Sequence, residues 1–74
     1  MQYLDFGKYI RDRRIKLGQS LNNFAIQCGI ESSTLSRFET EESDVYFQNF
    51  IKIANGFNVT PSELLKDFDE FSNI

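Results

Sequence analysis

Apolar positions along the chain recur every three or four residues, the spacing that places side chains on one face of an α-helix. In the first such stretch, Phe6, Ile10, Arg14 and Leu17 share a face. The pattern predicts an all-α chain of five short helices. Their expected bounds are about Leu4–Leu17, Leu21–Cys28, Ser32–Glu39, Val45–Phe57, and a fifth helix that starts at Pro61.

Local signals mark where these helices begin and end. Gly18 and Gly29 follow the first two helices, and glycine readily adopts the left-handed conformation that ends a helix. Ser20 and Asp44 are suited to cap the second and fourth helices. In Thr60-Pro61-Ser62-Glu63, the threonine and the glutamate form a capping box around a first-turn proline.

The inward faces of the helices are expected to hold most of the aromatic and aliphatic side chains. A short helix, a tight glycine turn and a second short helix form the spacing of the DNA-binding helix-turn-helix, here the second and third helices. The predicted inward residues of helices two to five are Phe24, Ala25, Cys28, Leu35, Phe38, Phe47, Phe50, Ile51, Ala54, Leu64, Leu65 and Phe68, with Ile53 and Phe57 beside the stripe of the fourth helix.

Composition excludes several classes of function. The 74 residues suffice for one domain with a small core. Without histidine, the usual zinc sites and general-base constellations cannot be built, so we expect neither enzymatic activity nor a cofactor or metal. The single cysteine, Cys28, is interpreted as a packing residue and indicates a reducing, cytoplasmic location. No apolar run is long enough to span a membrane.

Charge is unevenly distributed along the chain. The net charge is −3, yet five of the eight basic residues lie between Lys8 and Lys16. Acidic residues follow the third helix and dominate the last third of the chain. The molecule is therefore expected to be electrically polarised, although a charge run of this kind is also compatible with an ordinary solvated helix face.

Specific segments then suggest a family. They are Arg14-Ile15-Lys16-Leu17-Gly18-Gln19-Ser20, Phe24-Ala25, Gly29-Ile30, Ser33-Thr34-Leu35-Ser36-Arg37-Phe38-Glu39, Ile53-Ala54 and Val59-Thr60-Pro61-Ser62-Glu63-Leu64-Leu65. In this order and spacing, the stretch from Phe6 to Leu65 resembles the Xre family of lambda-repressor-like, or Cro/cI-type, helix-turn-helix domains. The resemblance implies a five-helix DNA-binding domain over residues 1–68, followed by a short acidic tail at 69–74.

The resemblance also implies a role for individual residues. The third helix would enter the major groove of double-stranded DNA, with base edges facing Ser32, Ser33, Ser36 and Arg37. Contacts to the DNA backbone would come from Arg13, Lys16, Ser20, Thr34 and Thr40. Arg14 and Glu39 match a pair that relatives bury between the first and third helices, and their role is expected to be structural.

Such a domain is expected to be a transcriptional repressor or autoregulator that binds a palindromic operator as a homodimer. The short chain resembles Cro-like repressors and the controllers of restriction–modification systems. Because a small core cannot cover every aromatic ring, we expect the dimer interface on the fourth helix, the fifth helix or the tail. The residues assigned to it are Phe57, Phe68 and Phe71.

Several features favour a different function. Leu21 stands where many relatives have a phosphate-binding glutamine, and Glu31 stands where many have a serine or threonine cap. The loop of residues 40–44 is acidic, so its carboxylates would oppose a DNA backbone. Arg37 could also pair with a carboxylate instead of DNA. The alternative is an antitoxin or other protein-interaction module that binds a toxin or another regulator and binds DNA weakly or not at all.

Overall fold

Five α-helices make up the part of the chain that the structure describes. The structure is a computed structural model, and it describes residues 6–40 and 45–72. The helices are α1 (Phe6–Lys16), α2 (Leu21–Cys28), α3 (Ser32–Thr40), α4 (Phe47–Gly56) and α5 (Pro61–Ser72). Across the described ranges there is no β-strand, which confirms the predicted all-α fold.

The ends of α1, α3 and α4 differ by one residue from the sequence-based expectation, and two other differences are larger. α4 begins at Phe47 instead of Val45, because Val45 packs on the core from an extended segment and Tyr46 takes the N-cap position without a side-chain cap. Asp44, the predicted cap, lies outside the described residues. α5 extends to Ser72 because Leu64, Phe68 and Phe71 continue one apolar face. The predicted boundary between domain and tail at residue 68 therefore falls inside a helix.

The predicted capping signals are present as hydrogen bonds. The Ser20 hydroxyl accepts a 3.1 Å bond from the Asn23 N–H. Gly18 and Gly29 have φ angles of 72° and 74°, the left-handed conformation expected where a helix ends. At the start of α5 the Thr60 N–H donates to Glu63 Oε1 at 2.9 Å, and the Glu63 N–H donates to Thr60 Oγ1 at 3.2 Å.

The core is built around aromatic rings contributed by all five helices. The rings of Phe24 and Phe57 lie 4.4 Å apart, and those of Phe6 and Phe68 meet edge to face at 5.1 Å. The fully buried large side chains are Phe24, Ile10, Leu35, Ile53 and Leu64. Three residues predicted to face inward are instead exposed, namely Leu17 beyond the end of α1, Phe47 in the first turn of α4, and Leu65 on α5.

The aromatic residues assigned to a dimer interface are placed mostly inside the protomer. Phe57 and Phe68 are core residues, with 7% and 3% of their surface exposed. They cannot contribute to a surface contact without unpacking the protomer, so their assignment to the interface needs correction. Phe71 packs against the core and remains half-buried. The rings of Phe68 and Phe71 on α5 pack against aromatic rings of α1, whereas Phe57 is covered by Phe24 of α2 and Arg13 of α1.

Candidate nucleic-acid interface

The outward face of α3 is polar. Leu35 and Phe38 anchor the helix in the core. Ser33, Ser36, Arg37 and Thr40 follow each other at i, i+3, i+4 and i+7, so they form one stripe along the opposite side. We call these four residues the α3 stripe. Ser33, Arg37 and Thr40 are exposed and Ser36 is half-buried. Ser32, in the first turn, is exposed beside the stripe.

The side chain of Arg37 is exposed on this face. Among the described residues it has no ion pair or hydrogen bond. The Thr40 hydroxyl donates a 2.8 Å bond to the Ser36 carbonyl oxygen, which leaves its lone pairs free to accept. Thr34 lies off the stripe and is half-buried. The helix therefore presents one long cationic side chain among short side chains that carry hydroxyl groups. Such a surface can approach another molecule closely.

An ion pair holds α3 against α1. Arg14 Nε donates to Glu39 Oε2 at 2.8 Å and Arg14 Nη2 donates to Glu39 Oε1 at 2.9 Å. A third bond, from Nη1 to the Gln19 carbonyl oxygen at 2.9 Å, ties the pair to the turn before α2. The hydrogen bonds to Glu39 raise the pKa of Arg14, against the opposing effect of burial. The pair neutralises itself, so it sets the position of α3 and adds little net charge to the surface.

The N-terminus of α2 offers a second polar feature. Ser20 is exposed and caps the helix through Asn23, while the N–H groups of Leu21 and Asn22 have no acceptor within the helix. Open N–H groups at a helix start favour an anion such as a phosphate. Leu21 itself packs against the core. Where many relatives have a phosphate-binding glutamine, this leucine contributes to the core and cannot make the polar contact.

Two predicted DNA-backbone residues lie on another flank of α1. Lys16 is two residues from Arg14 and therefore points about 160° away around the helix. With Arg13 it borders a groove of about 290 Å³ between α1 and α5, whose other lining residues are Tyr9, Asp12, Asp67, Glu70 and Phe71. Arg13 Nη1 lies 3.0 Å from Asp67 Oδ2 and 2.9 Å from the Tyr9 hydroxyl, and Lys16 pairs with Asp12 at 3.1 Å. The structure does not bring these two cations together with α3.

Arg11 is a further exposed basic residue of α1 that the sequence-based assignment of DNA contacts left out. It is exposed and precedes Arg14 by three residues, about 60° around the helix, on the flank that faces α3. The spacing from Arg14 to Arg11 could have singled it out once Arg14 was assigned to the α3 side. The family resemblance had implied Arg13 and Lys16 as the backbone contacts from this helix.

The described residues offer little other chemistry. They contain no group of three or more metal-ligating side chains, and none of their helices has the length and apolarity to cross a membrane. Burial raises the pKa of the Cys28 thiol to about 11, so it stays protonated at neutral pH. The polar surface around α3 and the α2 start is therefore the candidate site.

Comparison with protein families agrees with this arrangement. The model of the Cro/C1-type HTH DNA-binding domain matches residues 8–70 of the 74. No curated protein and no solved structure gives a significant match. The family match covers the ion pair, the turn between α2 and α3, and the α3 stripe. The chain belongs to the Cro/C1-type helix-turn-helix DNA-binding domains.

Proposed function

We propose that the protein is a sequence-specific transcriptional regulator, a repressor or autoregulator, which inserts α3 into the major groove of operator DNA. The observation that carries this proposal is the α3 stripe. It joins Arg37, which has no ion pair or hydrogen bond among the described residues, to three hydroxyls on a helix whose other side is fixed by the core and by the Arg14–Glu39 pair. A helix fixed in this way can present its side chains to base edges in one register.

The side chains of the stripe suit the reading of bases. Arg37 can donate two hydrogen bonds to O6 and N7 of a guanine, an interaction worth about 1–3 kcal/mol of discrimination. Ser32, Ser33 and Ser36 are short donors and acceptors, so they let the helix axis approach the groove floor. Arg37 is therefore the main specificity determinant, and the serines read neighbouring positions.

Contacts to the DNA backbone would come from both sides of α3. Ser20 with the open N–H groups of α2 would bind one phosphate, and Thr40 and Thr34 would bind others. Arg11 joins this set because it lies on the α3 flank of α1. Arg13 and Lys16 would have to leave Asp67 and Asp12 and swing around α1 to take part.

The regulator is proposed to act as a twofold dimer on a palindromic operator. Two α3 helices separated by one turn of DNA, about 34 Å, would read equivalent half-sites. Dimerisation on two half-sites makes occupancy a steep function of protein concentration, which suits an autoregulator.

A second candidate is a protein-interaction module, such as an antitoxin, on the same scaffold. The observation in its favour is the net charge of −3, which raises the electrostatic cost of approaching DNA. The two candidates predict different results when duplex DNA is added at low salt. The regulator should bind the duplex, whereas the protein-interaction module should bind it weakly or not at all.

The test is a titration of ¹⁵N-labelled protein with random-sequence duplex DNA at low salt, followed by backbone amide shifts and repeated at raised salt. Non-specific binding depends on phosphate contacts and weakens steeply with salt. We expect shifts at Ser20, at residues 32–37 and at Thr40 that fade as salt rises. Arg37→Gln should weaken binding, while Lys66→Gln, which removes an exposed cation on α5, should leave the α3 shifts unchanged.

A folded protein without shifts at low salt would contradict the DNA-binding proposal and favour the protein-interaction module. Shifts confined to α5 would instead mean that DNA approaches from a different side of the molecule.

A further inference from the structure

The groove between α1 and α5 is a concave surface on the flank of α1 that lies away from α3. Lys16, on its α1 side, lies about 160° around the helix from Arg14, the residue that holds α3. The α5 side of the groove is formed by Asp67, Glu70 and Phe71. A molecule bound in this groove would therefore leave the α3 stripe uncovered.

Two of the three carboxylates in the groove are paired within the protein. Asp67 Oδ2 lies 3.0 Å from Arg13 Nη1 and accepts a 2.6 Å bond from the Tyr9 hydroxyl. Asp12 lies 3.1 Å from Lys16 Nζ. Both cations of the groove are thereby engaged, so an entering anion would have to compete with a carboxylate for either of them.

Glu70 is the carboxylate of the groove that this network does not use. It is exposed, and among the described residues it forms no ion pair or hydrogen bond. The next residue, Phe71, is half-buried, with its ring 5.4 Å from the ring of Tyr9. α5 as a whole carries four carboxylates and one lysine. The groove thus offers a negative charge beside the exposed part of an aromatic ring, and the charge of α5 around it also favours a cation.

We propose that this groove binds a basic segment of another protein, through an arginine or lysine that lies on Phe71 and pairs with Glu70. Long cationic side chains bury their aliphatic stems on apolar surface while the charged end stays in water or at a carboxylate. An aromatic ring also attracts the cation directly. The inference goes beyond the proposed function, because it adds a protein partner that can be held while α3 contacts DNA.

The size of the groove favours the side chain of a protein partner over a small-molecule effector. Its volume is about 290 Å³. Pockets that enclose a drug-sized ligand have roughly 300–1,000 Å³, so this groove lies just below their range. A polypeptide needs to insert only one long side chain, and it gains further contact from the exposed residues of α5 beside the groove.

The test is a titration of the ¹⁵N-labelled protein with the blocked peptide Gly-Arg-Leu-Arg-Gly, followed by backbone amide shifts. We expect shifts at residues 12–16 and 67–71, whereas the charge-reversed peptide Gly-Glu-Leu-Glu-Gly should give none. Glu70→Gln should weaken binding of the arginine peptide about threefold, as expected for the loss of one exposed ion pair. Glu31→Gln is the matched control, because it removes an exposed carboxylate just before α3 and changes the net charge equally. It should bind the peptide like the wild type.

Three results would overturn the inference. The first is an absence of shifts up to about 5 mM arginine peptide, the affinity range of a very weak contact. The second is an equal loss of affinity in Glu70→Gln and Glu31→Gln, which would mean that net charge alone attracts the peptide. The third is a different occupant. Arginine amide that binds as tightly as the peptide would indicate a small-molecule site, and groove shifts that grow with protein concentration alone would indicate a second copy of the chain.

The peptide titration and the DNA titration can fail separately. Glu70→Gln should still give shifts at residues 32–37 with random-sequence duplex, because the groove lies on the other flank of α1. Peptide shifts at the groove in a protein that gives no shifts with duplex would retain this inference and reject the DNA-binding function. Duplex shifts at α3 without any peptide shifts would do the reverse.

Discussion

Gly7 determines how closely α1 can approach α3. A Cβ at this position would collide with the backbone carbonyl of Phe38, which cannot move without shifting the helix. Gly7→Ala is therefore expected to lower the free energy of unfolding by about 3 kcal/mol, the upper end of the usual cost of overpacking. For a domain with only about 5–15 kcal/mol in total, this is a large loss. Thermal and urea unfolding measure it.

Lys8→Ala is the control for this substitution. Lys8 is the next residue of the same helix and is exposed, so its replacement should change stability by no more than about 0.5 kcal/mol. If Gly7→Ala unfolded like Lys8→Ala, α1 and α3 would not be in close backbone contact, and the position assigned to the α3 stripe would have to be revised.

Tyr9 should ionise only in strongly alkaline solution. Burial, aided by a 2.6 Å hydrogen bond that its hydroxyl donates to Asp67 Oδ2, raises the pKa of Tyr9 to about 12. In the unfolded chain the phenol ionises near pH 10, so this group stabilises the fold fully below pH 10. That stability is lost as pH rises from about 10 through 12. Absorbance at 295 nm, with Tyr9→Phe subtracted from the wild type, gives the midpoint. A midpoint near 10 would contradict the buried bond to Asp67.

At the scale of single helices, the capping box of α5 makes stability depend on pH in the acidic range. Hydrogen bonds from the backbone N–H and the hydroxyl of Thr60 lower the pKa of Glu63 below its usual range. The carboxylate therefore contributes stability above the unfolded pKa of about 4.3, and this contribution is lost as pH falls through the lower folded value. Glu63→Gln should be less stable than the wild type at neutral pH, with a difference that shrinks as the pH drops below about 4.

Two further substitutions test the origin of this effect. Thr60→Ala removes the hydroxyl partner and should cost about 1 kcal/mol, the usual value of an N-cap. Glu70→Gln removes an exposed carboxylate near the end of the same helix, where a negative charge opposes the helix dipole, so it should not lower stability. If the difference in stability between Glu63→Gln and the wild type did not change with pH, the Glu63 carboxylate would not form the hydrogen bonds to Thr60 that lower its pKa.

The start and end of most helices could be predicted because their signals are local. Ser20, Gly29 and the capping box at Thr60 act on backbone groups within four residues of themselves. The start of α4 was wrong because Val45 is held by the core rather than by the helix. A tertiary contact of this kind leaves no mark on the local capping pattern.

The site could be predicted in part for the same reason. Once Leu35 and Phe38 are assigned to the core, the 3.6-residue repeat alone leaves the α3 stripe facing outward. Choosing among the cations of α1 requires knowing which neighbour lies on each flank. The contact of Arg13 with Asp67 joins residues 54 positions apart, so no local pattern predicts it. The aromatic rings pose the same problem, since Phe57 is covered by Phe24 and Arg13, and Phe68 by rings of α1, all of them distant in sequence.

At the scale of the whole molecule, the fold places the basic residues of α1 on different flanks of the helix. Arg13 and Lys16 pair with acidic residues of α5 and α1, while Arg14 pairs with Glu39 of α3 and Arg11 lies about 60° from Arg14 around α1. Of the latter two, Arg14 is neutralised by Glu39. Near α3 the exposed charges among the described residues are therefore those of Arg11, Arg37 and Glu31, and charges on the other flank of α1 are weakened by screening over about 10 Å at 0.1 M salt.

Arg11 and Lys16 form a matched pair for testing this division. Both are exposed cations on α1, and replacement by glutamine changes the net charge equally. At about 0.1 M salt, Arg11→Gln should weaken binding to random-sequence duplex and reduce the slope of log affinity against log salt by about 1, the loss of one phosphate contact. Lys16→Gln should leave both quantities near the wild-type values, because its charge is screened from DNA at α3. Equal losses in the two variants would mean that net charge alone drives binding. A larger loss with Lys16→Gln would place the DNA against the α1–α5 flank, and the α3 stripe would no longer be the recognition surface.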